Sequence, residues 1–362
     1  MDMRQAIVIS LLVLSGVKAD GSVLDPVRVE LLSRRIQARY EARLSTFKPE
    51  VQDHYALRMY RMTGDEAYLP PIAANCLLLA DRLSLDMDSV ANDSYVDGRT
   101  EQILGDYDDG GRKDRVRKAM FQKYDRLPFF LNLLYTCARL SDYRLTDPRI
   151  ASLISRTIDT LRTTDFKSFL LDQGVIRIFA AQAVNYVYYL NDLGITDIRR
   201  EYEEAFRGTF PDKDDEFLSG LEFKDKIYGM THFILAASGY YQRVVDTAEY
   251  GWVLKYFDKR RDRILKETKS DIIAEVGLCY LLSGQSDNPT VAYCRETVVA
   301  GIDTIKAMIL SPSGDDDLEQ GEHRNILAIM LLRWPDVLHP GPYLESSPQY
   351  QKMSPVPPES PD

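Results

Sequence analysis

The chain has 362 residues, with 45 Lys and Arg against 55 Asp and Glu, a net charge of −10 and 45% hydrophobic residues. That acidic balance argues against nucleic acid and anionic lipid as partners. Four cysteines are too few for a disulfide scaffold, and no CxxC pair suggests zinc.

At the start, "MDMRQ" carries the amine and Arg4, "AIVISLLVLSGV" is a short apolar run, and "VKA" offers small residues before a cut. This reads as a cleavable secretory signal over residues 1–19, with a mature chain from about Asp20. The run is too short to span a bilayer comfortably. We expect a periplasmic or secreted protein with no membrane insertion after the signal is removed. In an oxidising compartment Cys279 and Cys294 could pair; two buried thiols acting as small apolar groups is the equal alternative.

Helical periodicity then runs from residue 20 to 338, expected as one domain. Six apolar segments, "HYALRMYRM", "LPFFLNLLYTCARL", "GVIRIFAAQAVNYVYYL", "IYGMTHFILAASGYY", "DIIAEVGLCYLL" and "HRNILAIMLLRW", alternate with six one-faced charged ones. The last of the charged ones is "NPTVAYCRETVVAGIDTIKAM". Turn signals such as "TGD", "LTDP" and "SDNP" separate them. A helix apolar all round must be buried, whereas a one-faced helix can cover it. The expected fold is therefore all-α, an α/α toroid of about six helical hairpins, with an open α-solenoid as the alternative. Residues 86–118 are polar and break the pattern; they are expected as an irregular excursion over one mouth of the ring. Residues 339–362 hold seven of the 17 prolines and are expected as a disordered tail.

Inner helices of such a ring run the same way, so their N-termini should gather at one mouth around a polar cavity. His54, Arg58 and Arg61 fall at i, i+4, i+7 on one stripe. Tyr228 and His232 share a face with Ala236 and Gly239, which leave space beside the imidazole. Asn185 lies on a polar line with Gln182 and Tyr189. Asp271 suits a helix start. Glu275, inside "IIAEVGL", needs a buried donor, and without one its pKa rises. Glu322 and His323 begin the last apolar segment. A core histidine and solvated acids are the plain alternatives for each residue alone; their joint occurrence favours a functional cavity.

"KIYGMTHFILAASGYYQ", "DIIAEVGLCYLLSG", "GEHRNILAIMLL" and "HYALRMYRMTGD" resemble the family described as domain of unknown function 3541, exported bacterial helical proteins. The resemblance covers nearly the whole mature chain. It implies a bacterial, periplasmic, all-helical protein and carries over no activity and no catalytic residue.

By analogy of fold alone, exported α/α toroids are often carbohydrate-active, which makes an oligosaccharide or envelope glycan the expected partner. A glycoside hydrolase would use two carboxylates, with Glu275 as the acid of raised pKa and Asp271 or an acid from 315–319 as the base. A polysaccharide lyase would use His232 or Tyr228 as the base, with Asn185 and Arg58 near a substrate carboxylate and His54, Glu322 and His323 completing the binding site. The alternatives are a non-catalytic glycan- or protein-binding scaffold and a metal-dependent enzyme using His54, His232, His323 and Glu275. No GxSxG, P-loop or GxGxxG supports a serine hydrolase or a nucleotide cofactor, so no cofactor is implied.

Overall fold

The computed structural model describes residues 24–107, 111–145 and 147–344. The expected signal at 1–19 lies outside the described residues. In chain order the helices are α1 (Pro26–Glu41), α2 (Pro49–Thr63), α3 (Leu69–Asp88), α4 (Asp93–Gly105), α5 (Arg112–Phe121), α6 (Leu127–Asp142) and α7 (Pro148–Leu161). They continue as α8 (Phe166–Leu170), α9 (Gln173–Asp192), α10 (Arg199–Thr209), α11 (Gly220–Ala237), α12 (Thr247–Glu267), α13 (Ser270–Leu282), α14 (Pro289–Ala300) and α15 (Leu318–Leu332). The fold is all-α; among the described residues one two-stranded hairpin interrupts it.

Side chains set the helix starts. Asp25, Asp147 and Asn288 each precede a proline that fixes the first helical φ, and each accepts a first-turn N–H. Ser219 and Glu222 form a reciprocal capping box on α11. Stops follow the same logic: Gly64 takes φ 68° to end α2.

The six apolar segments form α2, α6, α9, α11, α13 and α15. Residues 272–282 of α13 and 325–332 of α15 are buried without a break, whereas α7 buries a single stripe of Leu153, Thr157 and Leu161. Packing runs α6 on α9, α9 on α11, α11 on α13 and α13 on α15, and α15 then lies against α1 and α2. Helix α3 packs on both α2 and α6. A polar tie joins α2 to α6 as well: Asp53 accepts from Arg139 at 2.8 Å and from the Tyr143 hydroxyl at 3.2 Å.

Three expectations need correction. Among the described residues of 86–118, residues 93–105 and 112–118 are helical rather than irregular. Asn92 caps α4, and Phe121 of α5 stacks into Phe169 and Phe179, so its polar sequence is an exposed helix face rather than a loop. The "DYDDGG" acids fall partly outside the described residues. The segment after Asn288 does not stay helical to Met308. Gly301 ends α14, and β1 (Ile302–Asp303) pairs antiparallel with β2 (Met308–Ile309), the turn being held by Asp303 accepting the Ile305 and Lys306 N–H groups. Asn325 of α15 clamps this hairpin by accepting from Ile309 N at 2.7 Å and donating to Ile309 O at 3.1 Å. The proline-rich tail does not begin at residue 339. Residues 339–344 are packed, with Leu344 fully buried and its N–H on Tyr143 O at 3.1 Å. The remainder, 345–362, lies outside the described residues.

Close approach of the inner helices depends on glycine. A Cβ at Gly229 of α11 would meet Phe206 of α10 at 2.6 Å and the Ala180 Cβ of α9 at 3.1 Å. We predict that Gly229→Ala costs about 1–2 kcal/mol, because overpacking outweighs the helix-propensity gain. Gly251→Ala on α12, where nothing lies within 4 Å, should instead be neutral or raise stability by about 0.5–1 kcal/mol. Urea unfolding of both variants measures this; equal effects would contradict the packing account.

Candidate functional site

A cavity of about 840 Å³ lies among α2, α6, α9, α11 and α15. The expectation placed it at the N-terminal ends of the inner helices; α2 and α15 do line it from that end, with Glu50, Asp53, His54 and His323, whereas the other lining helices do not. Helices α6, α9 and α11 contribute their C-terminal halves, including Arg139, Asn185, Tyr189 and His232, together with the turn 239–243 and Pro340 and Tyr343 from the C-terminal strap. Helix α5 explains the difference: it packs on α9, its Lys113 pairs with Asp225 of α11 at 2.6 Å, and its Arg117 guanidinium lies 5.8 Å from the Phe179 ring.

Of the residues singled out in the sequence, His54, Arg58, Asn185, Tyr228, His232 and His323 line the cavity. Three of the four histidines thus meet there. The His54 and His323 rings are 5.4 Å apart between centroids. Glu275 and Glu322 do not line it. They lie buried, at 1% and 4% exposure, and are met by donors. Glu275 accepts from the Thr231 hydroxyl at 2.6 Å and lies 3.6 Å from His323 Nε2, while Glu322 lies 2.7 Å from His54 Nδ1. Asp271 is outside the cavity wall and accepts the Ile272 N–H as a helix-start residue.

His232 is held by Asn185 rather than by a carboxylate. Its Nδ1 lies 2.7 Å from Asn185 Oδ1. An amide oxygen can only accept, so Nδ1 carries the proton and Nε2 the lone pair. Nε2 has no hydrogen-bond partner. The Tyr228 ring packs edge-on against the imidazole, with centroids 4.8 Å apart.

Charge follows from burial. Desolvation lowers His232 to about 4, with the Arg58 and His323 charges adding to it and Glu275 opposing. Desolvation and Arg58 likewise lower His54 to about 4. Both rings are neutral at pH 7. Burial pushes the Tyr228 phenol well up, and the Glu275 charge pushes it further. For Glu275, burial alone would raise the carboxyl, but His323, His232 and the Thr231 hydroxyl bring it net below its ordinary value. Glu275 is therefore an ionised anchor, not the acid of raised pKa that the sequence suggested.

Other site residues went unnoticed in the sequence. Arg61 was read as one more member of a basic stripe, yet it is 1% exposed. Its guanidinium donates to Gly341 O, Gly239 O and Tyr240 O at 2.8, 3.2 and 2.9 Å, with Asp142 3.8 Å away. Gly239, Tyr240 and Tyr241 have φ of 63°, 55° and 75°. Two tyrosines in the left-handed region are strained, and Arg61 holds two of the carbonyls that fix them. The only available signal was the glycine in "SGYYQ".

The metal reading also meets this geometry. Among the described residues no group of three or more His, Cys, Asp or Glu is arranged to hold a metal ion. All four cysteines are buried free thiols.

The depressed histidines make stability depend on pH. A base whose folded pKa is below its unfolded value binds fewer protons folded, so stability is full above about 6.5 and is lost as pH falls toward about 4. We predict that His232 accounts for a loss of about 2 kcal/mol between pH 7.5 and 5.0. Urea unfolding at the two pH values, in wild type and His232→Gln, measures it. An equal pH dependence in both proteins would show that His232 is not buried neutral.

The comparisons with known proteins bear on the chain as a whole. No curated protein and no solved structure matches it. A family model described as Domain of unknown function (DUF3541) matches residues 30–358. The match runs over most of the sequence, and the chain belongs to the DUF3541 family.

Proposed function

We propose that this protein is a carbohydrate-active enzyme whose cavity holds a sugar-sized ligand and whose His232 removes a proton from it. The state of His232 carries this reading. The ring is neutral, oriented by Asn185, packed by Tyr228, and has a partnerless Nε2. Nε2 is buried, so a ligand has to reach it through the cavity; once reached, such a nitrogen can serve as a general base. Tyrosines 135, 189, 240 and 241 give the cavity flat walls with polar rims, suited to sugar rings. Finer features expected from the sequence, the α/α toroid and export after a cut near Ala19, belong to the same proposal.

Elimination of the lyase type is favoured over hydrolysis. Hydrolysis needs two carboxylates facing the substrate. Glu275 and Glu322 face histidines instead, Asp53 is held by Arg139, and Asp142 lies beside Arg61; Glu50 and Asp192 also line the cavity, so the preference rests on the state of His232 and not on a lack of carboxylates. In an elimination His232 takes a C–H proton, its electron pair forms a C=C bond, and the C–O bond to the leaving group breaks. Tyr228, kept protonated by burial and beside His232 in the cavity wall, would give its proton to the leaving oxygen. A second reading, a non-catalytic binding scaffold, is favoured by one observation: Asn185 and His232 also tie α9 to α11.

The test uses the chain from Asp20 with acidic and neutral oligosaccharides, following unsaturated products by absorbance and mass. His232→Ala should lower turnover about 100-fold or more while keeping the unfolding transition. Tyr228→Phe should lower it less. Turnover by His232→Ala at the wild-type rate would overturn the catalytic reading, and binding without any product would favour the scaffold.

A further inference from the structure

We propose that Arg58 is the anchor for a ligand carboxylate, so that the cavity selects an acidic sugar. This rests on reading the cavity as a sugar site. The argument is one of unmatched charge. Arg61 is taken up by three backbone carbonyls and Asp142, and Arg139 by Asp53 and Tyr143. Arg144, 4.3 Å from the Tyr343 ring centroid, and Arg243 also line the cavity without an ion pair among the described residues, but both are exposed, whereas Arg58 is half-buried. Arg58 differs. It lines the cavity from the middle of α2 and forms no ion pair among the described residues. Its Nη1 donates to His54 O at 3.1 Å, its guanidinium lies 5.8 Å from the Tyr241 ring centroid and also hydrogen-bonds the Tyr241 side chain, and its buried Nε has no partner.

Charges around Arg58 do not neutralise it. Glu322 feels Arg58, but it lies beyond ion-pair distance and is engaged by His54. His54 and His232 are neutral. A guanidinium turned to a recess without a counter-charge is costly to desolvate, and an incoming anion removes that cost. One guanidinium fork matches one carboxylate in a bidentate contact. A phosphate dianion is a poorer match, because Arg61 and Arg139 are already committed. Arg58 acts on His232 through space, so a carboxylate held by Arg58 sits close to the base. Its charge also offsets the Arg58 contribution to the depression of the imidazole, of which burial is the largest cause.

Calorimetric titration of the chain from Asp20 tests the proposal with trigalacturonate, the neutral galactose trisaccharide, acetate and inorganic phosphate as probes. Wild type should bind trigalacturonate, and the neutral trisaccharide about 10- to 100-fold more weakly. Arg58→Gln should lose the same factor for the acidic probe alone. Arg58→Lys, which keeps the charge and loses the fork, should fall between and guards against a folding defect in the first variant. Equal affinity of wild type for both trisaccharides, unchanged binding by Arg58→Gln, no binding of trigalacturonate at all, or Arg58-dependent binding of phosphate in its place would each overturn the proposal. His232→Ala separates this from the catalytic reading. It should bind trigalacturonate and fail to turn it over; binding together with full turnover sinks the role of His232 and leaves Arg58 standing.

Discussion

Two carboxylates withdrawn from water set the terms for the middle of this protein. Glu275 on α13 and Glu322 on α15 are buried and ionised, and a buried carboxylate must be met by donors. The groups that meet them are Thr231, His323 and His54. Those contacts set one edge of each imidazole against a carboxylate. They also join α11, α13, α15 and α2 through side chains at the level where apolar packing gives way to the cavity. Asn185 does the same for His232 with an amide. An amide oxygen is neutral, so it orients the ring without raising its pKa as a carboxylate would. His54 and His323 have acidic backing and His232 has amide backing, yet burial lowers His54 and His232 alike to about 4.

The opposite wall depends on Arg61. Its guanidinium satisfies carbonyls from the strained turn 239–241 and from the strap at Gly341, while its own carbonyl accepts the His339 N–H at 2.9 Å. One buried charge thus binds the end of α2, the turn after α11 and the C-terminal strap. Burial lowers Arg61 only to about 10, so it stays charged, and the carbonyl dipoles and Asp142 compensate it. Gly64 belongs to the same arrangement: a Cβ there would meet the His339 ring at 2.7 Å.

Much of this architecture was legible in the sequence, because it rests on local rules. The six apolar segments had to be buried helices, and Asp-Pro and Asn-Pro pairs marked helix starts. The excursion at 86–118 was misread because polarity reports exposure, not the absence of helix; α4 and α5 are helices that show water one face. The hairpin at 302–309 was missed because its register is supplied by Asn325, sixteen residues beyond its partner Ile309. The site was legible as a set of residue types, not as a set of pairs. Spacing put His232 beside Ala236 and Gly239, which line the cavity with it. It could not show that Asn185, 47 residues earlier in the chain, takes Nδ1, or that Glu275 is claimed by Thr231. Arg61 was hidden for the opposite reason: a buried arginine and a surface one look alike until the backbone carbonyls around it are known.

The central claim is that His232 is a neutral imidazole with its proton on Nδ1 and a free Nε2. Nitrogen-15 NMR of ring-labelled histidines in the chain from Asp20, titrated from pH 8 downward, tests this most directly. The account predicts a His232 resonance pattern of the Nδ1–H tautomer at pH 7, titrating near 4, with the tautomer preference lost in Asn185→Ala. A His232 that is protonated at pH 7, or that carries its proton on Nε2, would contradict it.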